Sequence, residues 1–281
     1  FNDNIDLAGN LTLSGYVSAN GGYCSDANSN SKFGTKALCA LTTGDQNTAT
    51  GLRALRANTS GASNTAHGAY ALDSNTTGCL NTAVGNTALG ANTTGCDNTA
   101  SGRYALRCNT IGSRNTAVGG CALHANVNGN GNAAIGFKAM KDTTSGVYNT
   151  ASGAFSLATN TTGSRNAAHG NVALYSNTTG AQNTAVGTKS LYANTTASYN
   201  TAVGFETLCS NTTGAYNTAS GYKALRLNTT GGCNVAFGVL ALEDNTTGCQ
   251  NVAIGSSALC SNTTACFNTA VGGCSLFANT T

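Results

Sequence analysis

NTAVGNTALGANTTGCD, Asn81 to Asp97, is the unit from which nearly the whole chain is made. Its first residue returns as Asn30, Asn47, Asn64, Asn81, Asn98, Asn115, Asn132, Asn149, Asn166, Asn183, Asn200, Asn217, Asn234, Asn251 and Asn268, fifteen starts in a strict 17-residue period without an insertion. A fixed period of this length marks a stacked array, in which one repeat cannot bury its own core and is stabilised by its neighbours. Helices do not fit, because a 17-residue unit cannot hold two helices with their turns, and Gly and Asn recur where a helix would be interrupted. The expected fold is an all-β, single-chain parallel β-solenoid of about fifteen 17-residue coils over residues 30–281.

Numbering each coil from 1 to 17, position 3 is Ala except at Lys32, position 5 is always Gly, and position 9 is Leu except at Met140. A short strand over positions 1 to 5 turns positions 1 and 3 inward, and Gly at position 5 permits a backbone that other residues adopt at greater cost. A second strand is expected over positions 8 to 14, with Gly at position 15, as in Gly78 and Gly95, forming the other corner. At a strand spacing of about 4.8 Å, fifteen such coils make a rod of roughly 70 Å.

One Leu and one or two Ala per coil make a thin core, and Ala removes little apolar surface from water. Stacked amides are expected to add to it. Position 1, represented by Asn47, Asn64, Asn81, Asn98, Asn183, Asn200 and Asn217, and position 12, which departs from Asn only at Leu41 and Thr143, each predict a ladder of side-chain hydrogen bonds along the rod. The Leu at position 12 argues that this position faces inward.

That reading bears on glycosylation. Twelve asparagines stand in Asn-x-Ser/Thr sequons, and eleven of them are simply position 12 of the repeat. Internal amides cannot carry glycans, so Asn10, outside the array, is the better single candidate. Residues 1–29 do not fit the register; Ile5 to Ala19 alternates apolar and polar residues like a strand, and the segment is expected to cap the first coil or to pair with another subunit.

Twelve cysteines without a zinc-type CxxC pairing point to an oxidising, extracellular or surface setting. In register, Cys79 and Cys96 share position 16 of adjacent coils, as do Cys249 and Cys266, and these two pairs are predicted inter-coil disulfides. Cys108 with Cys121, Cys260 with Cys274, and Cys24 with Cys39 are weaker candidates, and Cys209 and Cys233 have no partner in phase. Buried free thiols are the alternative.

Charged residues are only 8% of the chain, and the net charge of +3 favours neither nucleic acid nor a membrane surface. No apolar run approaches the ~18 residues of a membrane span, and no signal peptide is visible, although a start at Phe1 is compatible with a removed leader. Catalytic, metal and cofactor patterns are not found. His67 and His169 share position 4 six coils apart, His124 stands alone, and Glu243 with Asp244 is the one adjacent acidic pair. The expectation is a protein that is not an enzyme and takes no cofactor. Variation concentrates at positions 6, 7, 10, 11, 16 and 17, where Tyr175 and Tyr192, Tyr199 and Tyr216, and Phe205 and Tyr222 form same-position pairs in adjacent coils. They are candidates for glycan or filament contact, or for ladders that only stiffen the rod.

The coil NTAVGxxAL, at Asn81–Leu89 and, with one substitution each, at Asn183–Leu191 and Asn200–Leu208, resembles the head repeat of trimeric autotransporter adhesins and is similar to NTAVG-type repeats of viral and phage tail-fibre-like surface proteins. The resemblance implies an extracellular fibre or adhesin rather than a catalyst. The readings that follow are a structural subunit of an extracellular filament, assembling with itself head to tail; a tail-fibre or adhesin shaft that binds a cell-surface glycan or protein; and an ice-binding solenoid, from the Thr at positions 2, 13 and 14.

Overall fold

A computed structural model of the chain describes residues 24–25 and 28–279. It is a parallel β-solenoid of 17-residue coils, with no helix among the described residues. A short β1 (Cys24–Ser25) pairs antiparallel with β2 (Ser31–Phe33), at the edge of the first coil. From β2 and β3 (Thr48–Thr50) onward to β16 (Thr269–Val271), fifteen strands pair in parallel and in sequence order, always with the same position of the next coil, as Ala66 with Ala83. The Asn10 site and the Ile5–Ala19 strand lie outside the described residues.

Each coil carries one strand, at positions 2 to 4; the second strand expected over positions 8 to 14 is not formed. The reason lies in the backbone. Positions 7, 9 and 17 take left-handed φ values whatever residue stands there: Arg53 at 59°, Leu55 at 50° and Ser63 at 56° in one coil, Lys189, Leu191 and Tyr199 at 58°, 50° and 63° in another. Alternating hands curl the chain instead of extending it, and a left-handed residue cannot continue a strand. The curled part still pairs along the rod. The Leu55 N–H donates to Ala71 of the next coil at 3.0 Å, and the Arg53 N–H donates to Thr35 of the preceding coil at 2.9 Å. Backbone polar groups are thus satisfied without a second sheet.

Glycine is required twice per coil for different reasons. At position 5, φ lies between 119° and 141°, and a Cβ on Gly204 would sit 2.5 Å from the Gly221 carbonyl oxygen. At position 15 the φ is ordinary, and the requirement is space: a Cβ on Gly78 would sit 2.5 Å from both Asn75 Oδ1 and the Gly95 carbonyl oxygen. Position 15 is therefore a close approach rather than a left-handed corner. Ala197 and Ala265 are its two exceptions.

The core runs the length of the rod as three columns, Ala at position 3, Ala, Ser or Thr at position 8, and Leu or Met at position 9, nearly all fully buried. Positions 2 and 4 of the strands face outward, so Val84, Ile135, Val203 and Ile254 are exposed.

Candidate functional site

The interior is as polar as it is apolar. Asn64 shows the pattern at position 1: its backbone N–H and its Nδ2 both donate to Asn47 Oδ1, at 3.0 and 3.1 Å, and Nδ2 also donates to the Gly78 carbonyl at 2.8 Å. At position 12, Asn75 Nδ2 donates to Asn58 Oδ1 at 2.8 Å and to the same Gly78 carbonyl at 2.9 Å. Two amide ladders therefore converge on one backbone oxygen in each coil that has Asn at position 12. The expected ladder residues Asn47, Asn64, Asn81, Asn98, Asn183, Asn200 and Asn217 all take part. Convergence explains why position 15 is kept small: a Cβ built on Gly78 crowds the amides, and only a methyl is accommodated, at Ala197 and Ala265, whose carbonyls still receive both amide bonds. A third column comes from position 13, where the Thr59 N–H and Oγ1 both donate to the Thr76 carbonyl, at 3.0 and 3.1 Å.

The position 12 ladder is interrupted once within the array, at Thr143. Asn126 Oδ1, which would accept from an amide there, is buried without a hydrogen-bond partner. On the other side Asn160 Nδ2 keeps its bond to the Gly163 carbonyl at 3.0 Å, but across the joint it meets a hydroxyl, Thr143 Oγ1 at 3.5 Å, in place of an amide oxygen. The junction between the coils starting at Asn115 and Asn132 is the poorly bonded one.

The ladder settles where the repeat sequons lie. Asn58, Asn75, Asn92, Asn160, Asn177, Asn194, Asn211, Asn228, Asn245 and Asn262 are each 0% exposed.

The predicted disulfides are not formed. Cys79, Cys96, Cys108, Cys121, Cys249, Cys266, Cys260, Cys274 and Cys39 are free thiols, as are Cys209 and Cys233; the side chain of Cys24 lies outside the description. In-register stacking keeps equivalent Cβ atoms about one strand spacing, ~4.8 Å, apart, whereas a disulfide wants them at about 3.5–4.5 Å. Cys249 and Cys266 instead form a thiol hydrogen bond, with sulfurs 2.7 Å apart, and that bond raises the Cys249 pKa. Burial raises the pKa of Cys209 and of Cys260.

The surface pairs are ladders. Tyr199 and Tyr216 stack at 4.9 Å with planes 2° apart, Tyr175 and Tyr192 at 5.4 Å, and Phe205 and Tyr222 at 5.7 Å. Stacked along the axis, each ring covers one face of its partner, while Tyr199, Tyr216, Phe205 and Tyr222 remain exposed. The structure thus brings together each predicted aromatic pair as a stacked pair on the outside of the rod.

A second feature emerges only in register. Ten of the thirteen Lys and Arg fall at positions 6, 7 or 10, which form one ridge. Carboxylates neutralise five of the ten: Arg53 and Arg56 hold Asp73 at 3.0 and 2.9 Å, Lys141 meets Asp142 at 3.0 Å, Lys189 meets Glu206 at 3.5 Å, and Arg226 meets Glu243 at 2.9 Å. Arg103, Arg107 and Lys138, like Lys36 and Lys223 nearer the ends, form no ion pair among the described residues, and these three lie over aromatic faces. Arg103 and Arg107 stand 4.5 and 5.3 Å from the Tyr104 ring centre, and Lys138 5.1 Å from that of Phe137. His124, edge-on to Tyr104 at 6.3 Å, has its pKa lowered by burial and then by Arg107 and Lys141, so the local field is positive.

His67 and His169 both face outward on their strands, far apart along the rod. Among the described residues no three His, Cys, Asp or Glu are grouped so as to hold a metal ion, and no helix is long and apolar enough to cross a membrane. No protein-family model matches the chain, and no curated protein matches it.

Proposed function

We propose that the protein is a structural rod, the subunit of an extracellular filament that assembles with itself head to tail. One observation carries this reading: the interior is filled by a nearly invariant set of Asn, Ala, Leu and Gly, while the variable residues sit on outer ridges. Such a body is built for length and stiffness, and its chemistry is confined to its surface. The parallel register supports the assembly mode, because the end of any coil offers the donors, acceptors and ladder amides that another coil matches. Electron microscopy of the native protein tests it. Filaments with a subunit repeat of roughly 70 Å, fifteen strand spacings, are expected. Short rods that stay monomeric at high concentration would refute the self-assembly.

The three unpaired cations midway along the basic ridge favour a second reading, a fibre shaft that binds an acidic cell-surface glycan through Arg103, Arg107 and Lys138. Immobilised sulfated polysaccharide should retain the rod in a salt-sensitive way, and the triple change Arg103→Ser, Arg107→Ser, Lys138→Ser should release it. Equal retention of both proteins would remove this reading. An ice-binding role has weaker support, because position 2 on the strand face loses its Thr at Ala133, Ala167, Val235 and Val252.

A further inference from the structure

The sequons and the fold make opposite demands on the same atoms. N-glycosylation joins the Asn Nδ2 to C1 of an oligosaccharide carried on a lipid diphosphate. The N–C1 bond forms, the C1–O bond to the diphosphate breaks, the lipid diphosphate leaves, and the amide gives up one proton. The product is a secondary amide with a single N–H.

The ladder uses both hydrogens. Asn177 Nδ2 donates to Asn160 Oδ1 and to the Gly180 carbonyl, each at 2.9 Å, and its own Oδ1 accepts from Asn194 Nδ2 at 2.8 Å. The pattern repeats at Asn228, which donates at 2.8 and 2.9 Å, and at Asn245, which donates at 2.8 and 3.0 Å. Ten sequon asparagines are fully buried, and all but Asn58 and Asn160 donate both hydrogens to the ladder amide and the position 15 carbonyl. Space is as short as hydrogens: a lone Cβ on Gly180 would lie 2.4 Å from Asn177 Oδ1 and 2.3 Å from the Ala197 carbonyl oxygen. A sugar on Nδ2 has no place inside the coil.

The hydroxyl that completes each sequon tells the same story from outside. Position 14, as Thr77, Thr94, Thr162 and Thr179, is exposed, and its side chain makes none of the ladder bonds. A folded coil therefore shows the sequon's hydroxyl and hides its amide, whereas an unfolded coil shows both.

We propose that folding of this rod and N-glycosylation of its repeats exclude each other, so that the chain reaches its native state only where its unfolded repeats do not meet an oligosaccharyl transferase. Because each coil contacts only its neighbours, one glycan at Asn177 is enough to part the rod there, leaving two shorter stacks. Extracellular display is then by a route that bypasses such a transferase, as in a bacterial envelope or a particle assembled in cytoplasm. The inference rests on the ladder alone and holds whether or not the rod forms filaments.

The test compares the whole chain made in bacterial cytosol with the same chain sent, behind a signal peptide, through the endoplasmic reticulum of a eukaryotic host. The cytosolic protein should resist protease and show rods. The routed protein should carry endoglycosidase-sensitive glycans mapped by mass spectrometry to position 12, and be digested at least tenfold faster. Two controls separate glycosylation from other faults of the route: blocking lipid-linked oligosaccharide synthesis, and changing Ser60 and the Thr at position 14 of the other nine sequons to Val. Either should restore the protease-resistant rod; if neither does, the proposal fails. It is also overturned if the routed wild-type chain is native, whether glycans sit on the ladder or the repeats fold before transfer.

Discussion

Thr143→Asn should stabilise the protein, and the structure indicates by how much. In the intact part of the ladder an amide at position 12 donates to the preceding Asn Oδ1 at 2.8 Å and to the position 15 carbonyl at 2.9 Å, and accepts from the following Nδ2, as Asn75 does. At Thr143 the first two bonds are missing and the third is a 3.5 Å approach to a hydroxyl. Satisfying the buried Asn126 Oδ1 is worth about 1–3 kcal/mol, and the remaining bonds about 0.5–1.5 kcal/mol each before the added side-chain ordering is subtracted. A net gain of about 2–3 kcal/mol is expected. In a one-dimensional stack that gain appears at the joint rather than across the whole rod. Hydrogen exchange of the native protein is the assay. Amides spanning the joint, Val127 and Asn128 onto the Thr144 carbonyl among them, should exchange faster in the wild type than the equivalent Thr178 and Thr179. In the variant they should slow roughly 30- to 150-fold, at about 1.4 kcal/mol per factor of ten. Met140 replaces Leu in the same coil, so Thr143→Asn is also made with Met140→Leu, which restores the standard coil. If neither variant slows exchange at the joint, the missing amide bonds are not what weakens it.

Gly204→Ala should cost roughly 3 kcal/mol or more, because it combines a left-handed φ of 134° with a Cβ 2.5 Å from the Gly221 oxygen; urea unfolding reads the loss. Acidification should weaken the fold through His124, whose pKa lies below 6.5 in the folded chain because burial, and then Arg107 and Lys141, disfavour its charge. The unfolded chain takes up that proton first, so stability falls as the pH drops through about 6.5 and levels off below the folded pKa, and His124→Gln should remove this part of the slope. Among the thiols, exposed Cys39 should alkylate faster at neutral pH than Cys260, which is 7% exposed with a raised pKa. Peptide mass spectrometry after a timed pulse of reagent decides this, and equal rates would contradict the burial of Cys260.

The period, the parallel stack and both amide ladders were legible because each depends only on which residue returns at which position. Leu41 was the telling residue for position 12, since an apolar substitute marks an inward site. What escaped was the path of the chain between ladders. A buried Leu at position 9 reads as a strand residue, and nothing in its chemistry announces a φ near 50°. The left-handed state costs of order 1–3 kcal/mol at such a residue, and it persists because only that turn places the Leu55 N–H on the Ala71 carbonyl and its side chain in the core. The convergence of Asn64 and Asn75 on Gly78 did leave a trace. Position 15 is Gly in every complete coil but two, and the exceptions, Ala197 and Ala265, are the smallest possible. A turn glycine chosen for φ is often exchanged for Asn, whereas one chosen for space yields only to Ala. The cysteine pairing failed for the converse reason. Register placed Cys79 beside Cys96 correctly, but the Cys96 thiol accepts the Cys79 N–H at 3.1 Å instead of bonding to the Cys79 sulfur, a choice of side-chain direction that spacing in the sequence does not reveal. The same regularity bears on function: with the interior bonded alike at almost every joint, the unpaired Arg103, Arg107 and Lys138 and the defect at Thr143 are the places where this rod differs from itself. They lie within three consecutive coils, so a partner seated on the ridge would span the weak joint, and hydrogen exchange there should slow when an acidic polysaccharide binds. Exchange that is unchanged at saturating polysaccharide would show that ridge and joint are neighbours without being coupled.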